Sequence, residues 1–250
     1  MPFHLQVFFP LLVLACGYGL GDLAPSGLAA GVLFAAWVLS ARQMPTRLWY
    51  PVTLLTGLAL AAHLVPGFQP RLLETLVLDP GAPPLPLRLS WDKLLVGVTL
   101  LAWWLGGSWP RYTRPALAWF GAALTLALVP TLALGLGLVD WRPKWHDAFW
   151  LWLALNLGMT VLAEELLFRG LLQSGLSRWL GEWPALLVTT LLFGLAHLPF
   201  GLAFASLAAC AGLGYGWVYR FSGRLVAPVA LHLAVNSAHF LLLTYPARPV

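Results

Sequence analysis

The sequence predicts an all-α fold, a polytopic transmembrane helical bundle of about eight or nine spans. Three observations carry that expectation. Of the 250 residues 60% are hydrophobic and only 9% charged, where a soluble domain carries about 25% charged residues. The 14 basic and 9 acidic side chains cannot cover a chain of 27.2 kDa in water, and the mean hydropathy is +0.81, so lipid is the solvent for most of it. The apolar residues also fall into runs of about 20, the length that crosses a bilayer core, separated by short polar gaps.

In chain order the spans are expected near 5–21, 25–41, 48–66, 92–108, 115–138, 148–174, 184–199, 201–219 and 226–244. The gaps hold the turn and charged residues: Gly21-Asp22, Arg42 to Arg47, Arg111 to Arg114, and Trp141 to Asp147. The first run has no Lys or Arg before it and no small-residue cleavage site, so it reads as a span and not as a removed signal peptide. The stretch 67–91 is rich in Pro and holds Arg71, Glu74, Asp79 and Arg88; it reads as one loop, too short for a domain. Asp92-Lys93 marks the start of the next span. Trp103, Trp104, Trp109, Trp141, Trp145, Trp150, Trp179 and Trp183 cluster near span ends, as an interfacial belt requires. Gly212 and Gly216 form a GxxxG inside a span and predict close helix packing. Ser174 and Ser177 read as turn residues. Cys16 and Cys210 each sit in an apolar run and read as packed thiols, not as a disulfide.

The net charge of +5 does not point to nucleic acid, because no basic cluster with interleaved aromatics stands in a polar context. The basic residues act as topology signals instead. With the N-terminus in the cytoplasm, Arg42, Arg47, Arg111, Arg114, Arg178, Arg220 and Arg224 lie inside, and Arg71, Arg88, Lys93, Arg142, Lys144 and Arg248 outside. The inside loops are short and nearly free of acids, which favours this orientation.

Ionisable residues deep in a membrane are costly and mark function. Three segments carry them. The run from Thr160 to Leu172 contains Glu164, Glu165 and Arg169 among Leu, Val, Ala and Phe. Glu165 and Arg169 are four apart, acid first, the favoured order for a helical ion pair. Glu164 is left over, turned about 100° around the helix, and suits a general base. The second segment places Phe193 four residues before His197, and the third places His232 four residues before Asn236, so each pair shares a helix face. Counted at 1.5 Å per residue from the inner ends of their spans, Glu164 lies roughly 15 Å deep, His197 roughly 20 Å and His232 roughly 8–10 Å. That arithmetic puts all three in one half of the bilayer, as an intramembrane active-site cavity opening toward the cytoplasm requires. Pro199 and Gly201 break the helix just after His197, which is tolerated where backbone lines a wet cavity.

The run Glu164-Glu165-Leu-Leu-Phe-Arg169-Gly170, the run Phe193 to His197 and the run His232 to Asn236 resemble the three signature motifs of the CAAX protease and bacteriocin-processing (CPBP) family: EExxxR, FxxxH and HxxxN. Order and spacing match, and the resemblance covers about residues 145–245. It implies an integral-membrane endopeptidase, akin to the type II CAAX prenyl proteases, whose active site lies inside the bilayer. Carried over residue by residue, Glu164 and His197 activate the attacking water. Glu165, Arg169 and Phe193 support the site, and His232 and Asn236 stabilise the oxyanion. The chain then divides into N-terminal spans over 1–140, without an assigned role, and a catalytic core over 145–245, together one membrane-embedded unit. The bacterial inner membrane is the expected location. The expected partners are the lipid bilayer and a membrane-associated protein or peptide substrate, with no nucleic acid.

Two alternatives stay open at this stage. A mechanism needing no cofactor is favoured, since no HExxH occurs; the competing reading holds Zn²⁺ on Glu164, His197 and His232 with a fourth position open. A transporter or proton-coupled carrier would also use buried Glu, His and Arg, but no inverted repeat is visible. A non-catalytic partner or immunity protein is the third class, set against by the completeness of the motifs. Taken singly, Glu165–Arg169 reads as a structural ion pair, and His197 and Asn236 as interhelical hydrogen bonders. His239, three residues past Asn236, is a weak extra candidate, and His63 has no assigned role.

Overall fold

The computed structural model describes residues 1–78, 83–107, 109 and 113–246. Asp79, Arg111 and Arg248, which the sequence assigns to the long loop, an inner gap and the outer end of the chain, lie outside the described residues. Among the described residues nine helices fall where the nine apolar runs predict them. They are α1 (Phe3–Gly19), α2 (Pro25–Leu39), α3 (Thr46–Ala61), α4 (Trp91–Gly106) and α5 (Pro115–Gly135), followed by α6 (Phe149–Leu180), α7 (Glu182–Ala196), α8 (Leu202–Ser222) and α9 (Val226–Leu242). The fold class is the predicted all-α membrane type. By length and composition α5, α6 and α8 suffice to cross a membrane. The apolar helices α1, α2, α7 and α9 are shorter, at 15 to 17 residues.

Two expectations need correction. The stretch 67–91 is not only loop: β1 (Arg71–Leu76) pairs with β2 (Leu85–Leu89) in a two-stranded sheet. Both strands are edges, which is where a Pro such as Pro86 is tolerated. Burial of Leu76 and Leu87 anchors the sheet, while Leu72 and Leu73 stay exposed. The second correction concerns α6, which continues past 174 to Leu180 and stops at Gly181, whose φ of +83° suits a residue without Cβ. Ser174 and Ser177 therefore lie inside the helix, not in a turn. The Ser174 hydroxyl pairs with the Tyr219 hydroxyl at 2.7 Å, and Ser177 Oγ donates to the Ser174 carbonyl at 3.1 Å.

The chain forms two compact units, one of Met1–Glu74, Leu87–Trp109 and Leu155–Leu171, the other of Thr75–Pro86, Pro110–Ala154 and Leu172–Val250. In the first unit α4 is the hub, packing on α1, α2, α3 and the 156–165 stretch of α6. Leu95, Val96 and Leu100 give it a fully buried face. The approach to α6 is close because Gly97 has no side chain: a Cβ there would lie 3.3 Å from the Gly158 carbonyl oxygen and 3.5 Å from the Ala163 nitrogen. Gly57 on α3 makes similar room for Leu167. The aromatic residues at the end of α4 turn inward more than a lipid belt requires. Trp104 and Trp109 stack with centroids 4.0 Å apart, and Trp103 packs on Trp49. By contrast Trp141, Trp145, Trp150, Trp179 and Trp183 are exposed.

In the second unit α8 packs against α5, α7 and α9. Its small residues allow this, as Ala205, Ala208, Ala211, Gly212 and Gly216 are all buried. A strap over residues 138–144 ties the end of α5 to the end of α9 through the Trp141–Leu243 bridge. Arg142 N–H donates to the Leu242 carbonyl at 2.8 Å, and Lys144 N–H to the Leu241 carbonyl at 2.7 Å. Cys16 and Cys210 are free thiols, as expected, but both are exposed and not packed.

Candidate active site

Glu164, Glu165 and Arg169 sit in the first unit, on the stretch of α6 where helical geometry changes. Wide π-helical turns occupy Asn156–Val161 and Leu166–Gln173, with four α-helical residues between them, Leu162–Glu165. Such turns recur at functional sites. Glu165 and Arg169 are 0% exposed, and Arg169 Nη1 donates to Glu165 Oε1 at 3.0 Å, as their spacing predicts. Opposite charges this deep are tolerable only as a partnered, hydrogen-bonded set. Leu166, Leu167 and Leu171 are fully buried around them. Glu164, on a different face, is half-buried.

The remaining motif residues lie together in the second unit. A cavity of about 100 Å³ is lined by Phe193, His197, Tyr215, His232, Asn236 and His239, among others. Its apolar wall comes from α5 (Val129, Pro130 and Ala133) and α8 (Leu207, Ala208 and Ala211), with Leu138, Val139 and Leu243 at the strap. Thus α5, which sequence reasoning left without a role, supplies part of the wall.

Each imidazole is held by a specific neighbour. His197 ends α7, and its Nδ1 is 2.7 Å from the Phe193 carbonyl oxygen. A carbonyl only accepts, so Nδ1 carries the proton and, in the neutral ring, Nε2 keeps its lone pair. Phe193 touches both motif histidines, with centroids 4.7 Å from His197 and 6.2 Å from His232. That explains why Phe belongs four residues before this His. His232 is 5% exposed and stacks on Tyr215, at 4.4 Å between centroids and 18° between planes. Tyr215 was missed: within Gly212-Leu-Gly214-Tyr215-Gly216 the glycines drew the reading toward packing. Only its position four residues after Ala211 and three after Gly212, on the small face of α8, could have flagged it. His239 proves to be a lining residue of this cavity, and His63 instead pairs in the first unit with Asp92, Nδ1 to Oδ2 at 2.6 Å.

Among the described residues no group of three or more His, Cys, Asp or Glu side chains could hold a metal ion. Chemically, the cavity offers an imidazole acceptor on His197, an amide donor on Asn236, a second imidazole and a large apolar surface.

Residues 146–238 match the family model described as type II CAAX prenyl endopeptidase Rce1-like. Neither curated proteins nor solved structures yield a match to the chain. The matched stretch contains all seven motif residues, from Glu164 to Asn236. Over residues 146–238 the chain is thus similar to the type II CAAX prenyl endopeptidases, whose named activity is that of an endopeptidase, a hydrolase.

Proposed function

We propose that the protein is an intramembrane endopeptidase that hydrolyses a peptide bond of a membrane-associated substrate. Glu164, with His197, takes a proton from water, and the resulting hydroxide attacks the scissile carbonyl carbon. The Asn236 amide and the His232 imidazole donate to the oxygen that becomes negative. Collapse of the tetrahedral intermediate breaks the C–N bond, and the departing amine receives the proton taken from water. Glu165, Arg169 and Phe193 keep these groups in place. The reaction uses water alone and needs no cofactor. We assign the protein to the bacterial inner membrane, with the site open to the cytoplasmic side. The observation that supports this reading best is the single cavity lined by His197, His232 and Asn236, whose residues lie within the family match.

The test is cleavage of membrane peptides by purified protein, with products read by mass spectrometry. Glu164→Gln is nearly isosteric, so it should abolish cleavage, by about 10²-fold or more, with little loss of folded protein. Full turnover by that variant would remove Glu164 from the mechanism. Solute uptake into liposomes that persists in the cleavage-dead variant would favour a carrier.

A further inference from the structure

The polar lining of the cavity does not stop at the motif. His232, Asn236 and His239 fall at i, i+4 and i+7 on α9, so they form one stripe along a single helix face, and all three line the cavity. From His232 to His239 the stripe advances about 10 Å along the helix axis. An extended peptide advances about 3.3 Å per residue, so the stripe matches roughly three peptide residues. Apolar side chains of α5 and α8 line the same cavity. A cavity lined by a polar stripe and by apolar side chains suits an extended backbone whose amides meet α9 and whose side chains meet the apolar residues.

His239 is fixed in a form that suits this use. Its Nε2 lies 3.1 Å from the Thr244 carbonyl oxygen, so Nε2 carries the proton and Nδ1 of the neutral ring is an acceptor. Thr244 is itself held, its N–H donating to the Asp140 carbonyl at 2.9 Å and its Oγ1 accepting from the Asp140 N–H at 3.0 Å. The strap thus orients the ring, and Tyr245 packs against it at 4.7 Å between centroids. Around this end of the cavity, Ala133, Leu138, Val139 and Leu243 form a small aliphatic cluster.

We propose that His239 and this cluster form a substrate subsite about three residues from the scissile bond. There His239 accepts a backbone N–H of the extended peptide, and the cluster takes a small aliphatic side chain. The inference rests on the peptidase reading given above, and it makes His239 a specificity residue with no part in bond cleavage.

The probe is a quenched-fluorescent peptide that the wild-type protein cleaves, made in two forms: the all-amide peptide, and a set in which one amide at a time is replaced by an ester that lacks the N–H. Replacement at the third residue on one side of the cut should raise KM about three- to tenfold and leave kcat nearly unchanged. In His239→Leu, which keeps bulk but removes the acceptor, amide and ester should be cleaved with equal KM. The ester scan on the wild-type protein does not depend on that variant folding. If cleavage depends on Glu164 but no ester near the third residue changes KM, the subsite is wrong and the peptidase reading stands. If the wild-type protein cleaves no membrane peptide, both fall together.

Discussion

Glu165 and Arg169 are sealed from solvent, whereas His197, His232 and Asn236 line a cavity of about 100 Å³. The two regions solve the same difficulty, polar groups in an apolar solvent, by different means. The first pairs a full negative charge with a full positive one on the same helix and closes Leu side chains over them. The second uses two imidazoles and an amide, the rings steadied by an aromatic face or a backbone carbonyl, and keeps a surface open. A closed ion pair should therefore report mainly on folding, and an open imidazole cavity mainly on turnover.

The largest effect that can break this comparison is in the closed region. Arg169→Ala leaves Glu165 buried without its cation, at a cost of about 3–5 kcal/mol. Yield and thermal unfolding temperature in detergent should both fall sharply. Replacing both partners, Glu165→Leu with Arg169→Met, should recover most of that stability, because a hydrophobic pair of similar volume often matches a buried ion pair. An Arg169→Ala protein of normal yield and stability would show that the charges are not sealed as described.

The cavity supplies the next test, and here stability should hold while turnover changes. Tyr215→Leu removes the ring stacked on His232, worth about 0.5–1.5 kcal/mol, and should lower kcat up to about tenfold. Tyr215→Phe keeps the ring and should keep kcat near wild type. If Leu and Phe behave alike, the stack does not position His232. A large drop in melting temperature for both would instead make Tyr215 a packing residue, and the contrast between the two regions would weaken.

Legibility in the sequence divides along the same line. The nine helices could be read because an apolar run of span length satisfies its own backbone in lipid by coiling into a helix. The Glu165–Arg169 pair could be read because i to i+4 spacing is a local property of a helix. What could not be read depends on contacts distant in sequence. The Tyr215–His232 stack joins α8 to α9, and the wall residues Val129, Pro130 and Ala133 come from a helix some hundred residues before His232. The sheet of β1 and β2 hid behind its prolines, since composition alone cannot separate a two-stranded edge pair from a loop. Ser174 and Ser177 misled for the opposite reason: their turn propensity is weaker than the hydrogen bonds that hold them in α6.

A second ion pair sharpens the comparison by repeating the chemistry of the first in contact with water. Asp22 follows α1, and its Oδ2 accepts from Arg71 Nε at 2.7 Å and from Trp91 Nε1 at 2.9 Å. The Arg71 hydrogen bond is the main cause that holds this carboxyl below its ordinary value of 3.8, with the Trp91 bond and the Arg71 charge acting in the same direction against partial burial. A carboxyl depressed on folding adds stability above its unfolded pKa and loses it as pH falls through the folded one. Asp22→Asn should thus melt slightly below wild type at neutral pH, with the gap closing as pH drops below 3.8 and shrinking with added salt. The Arg169→Ala gap should respond little to salt, because ions do not reach a pair with 0% exposure. Should the Asp22→Asn gap prove as insensitive to salt and acid as the buried one, solvent access would not be what separates the two kinds of pair.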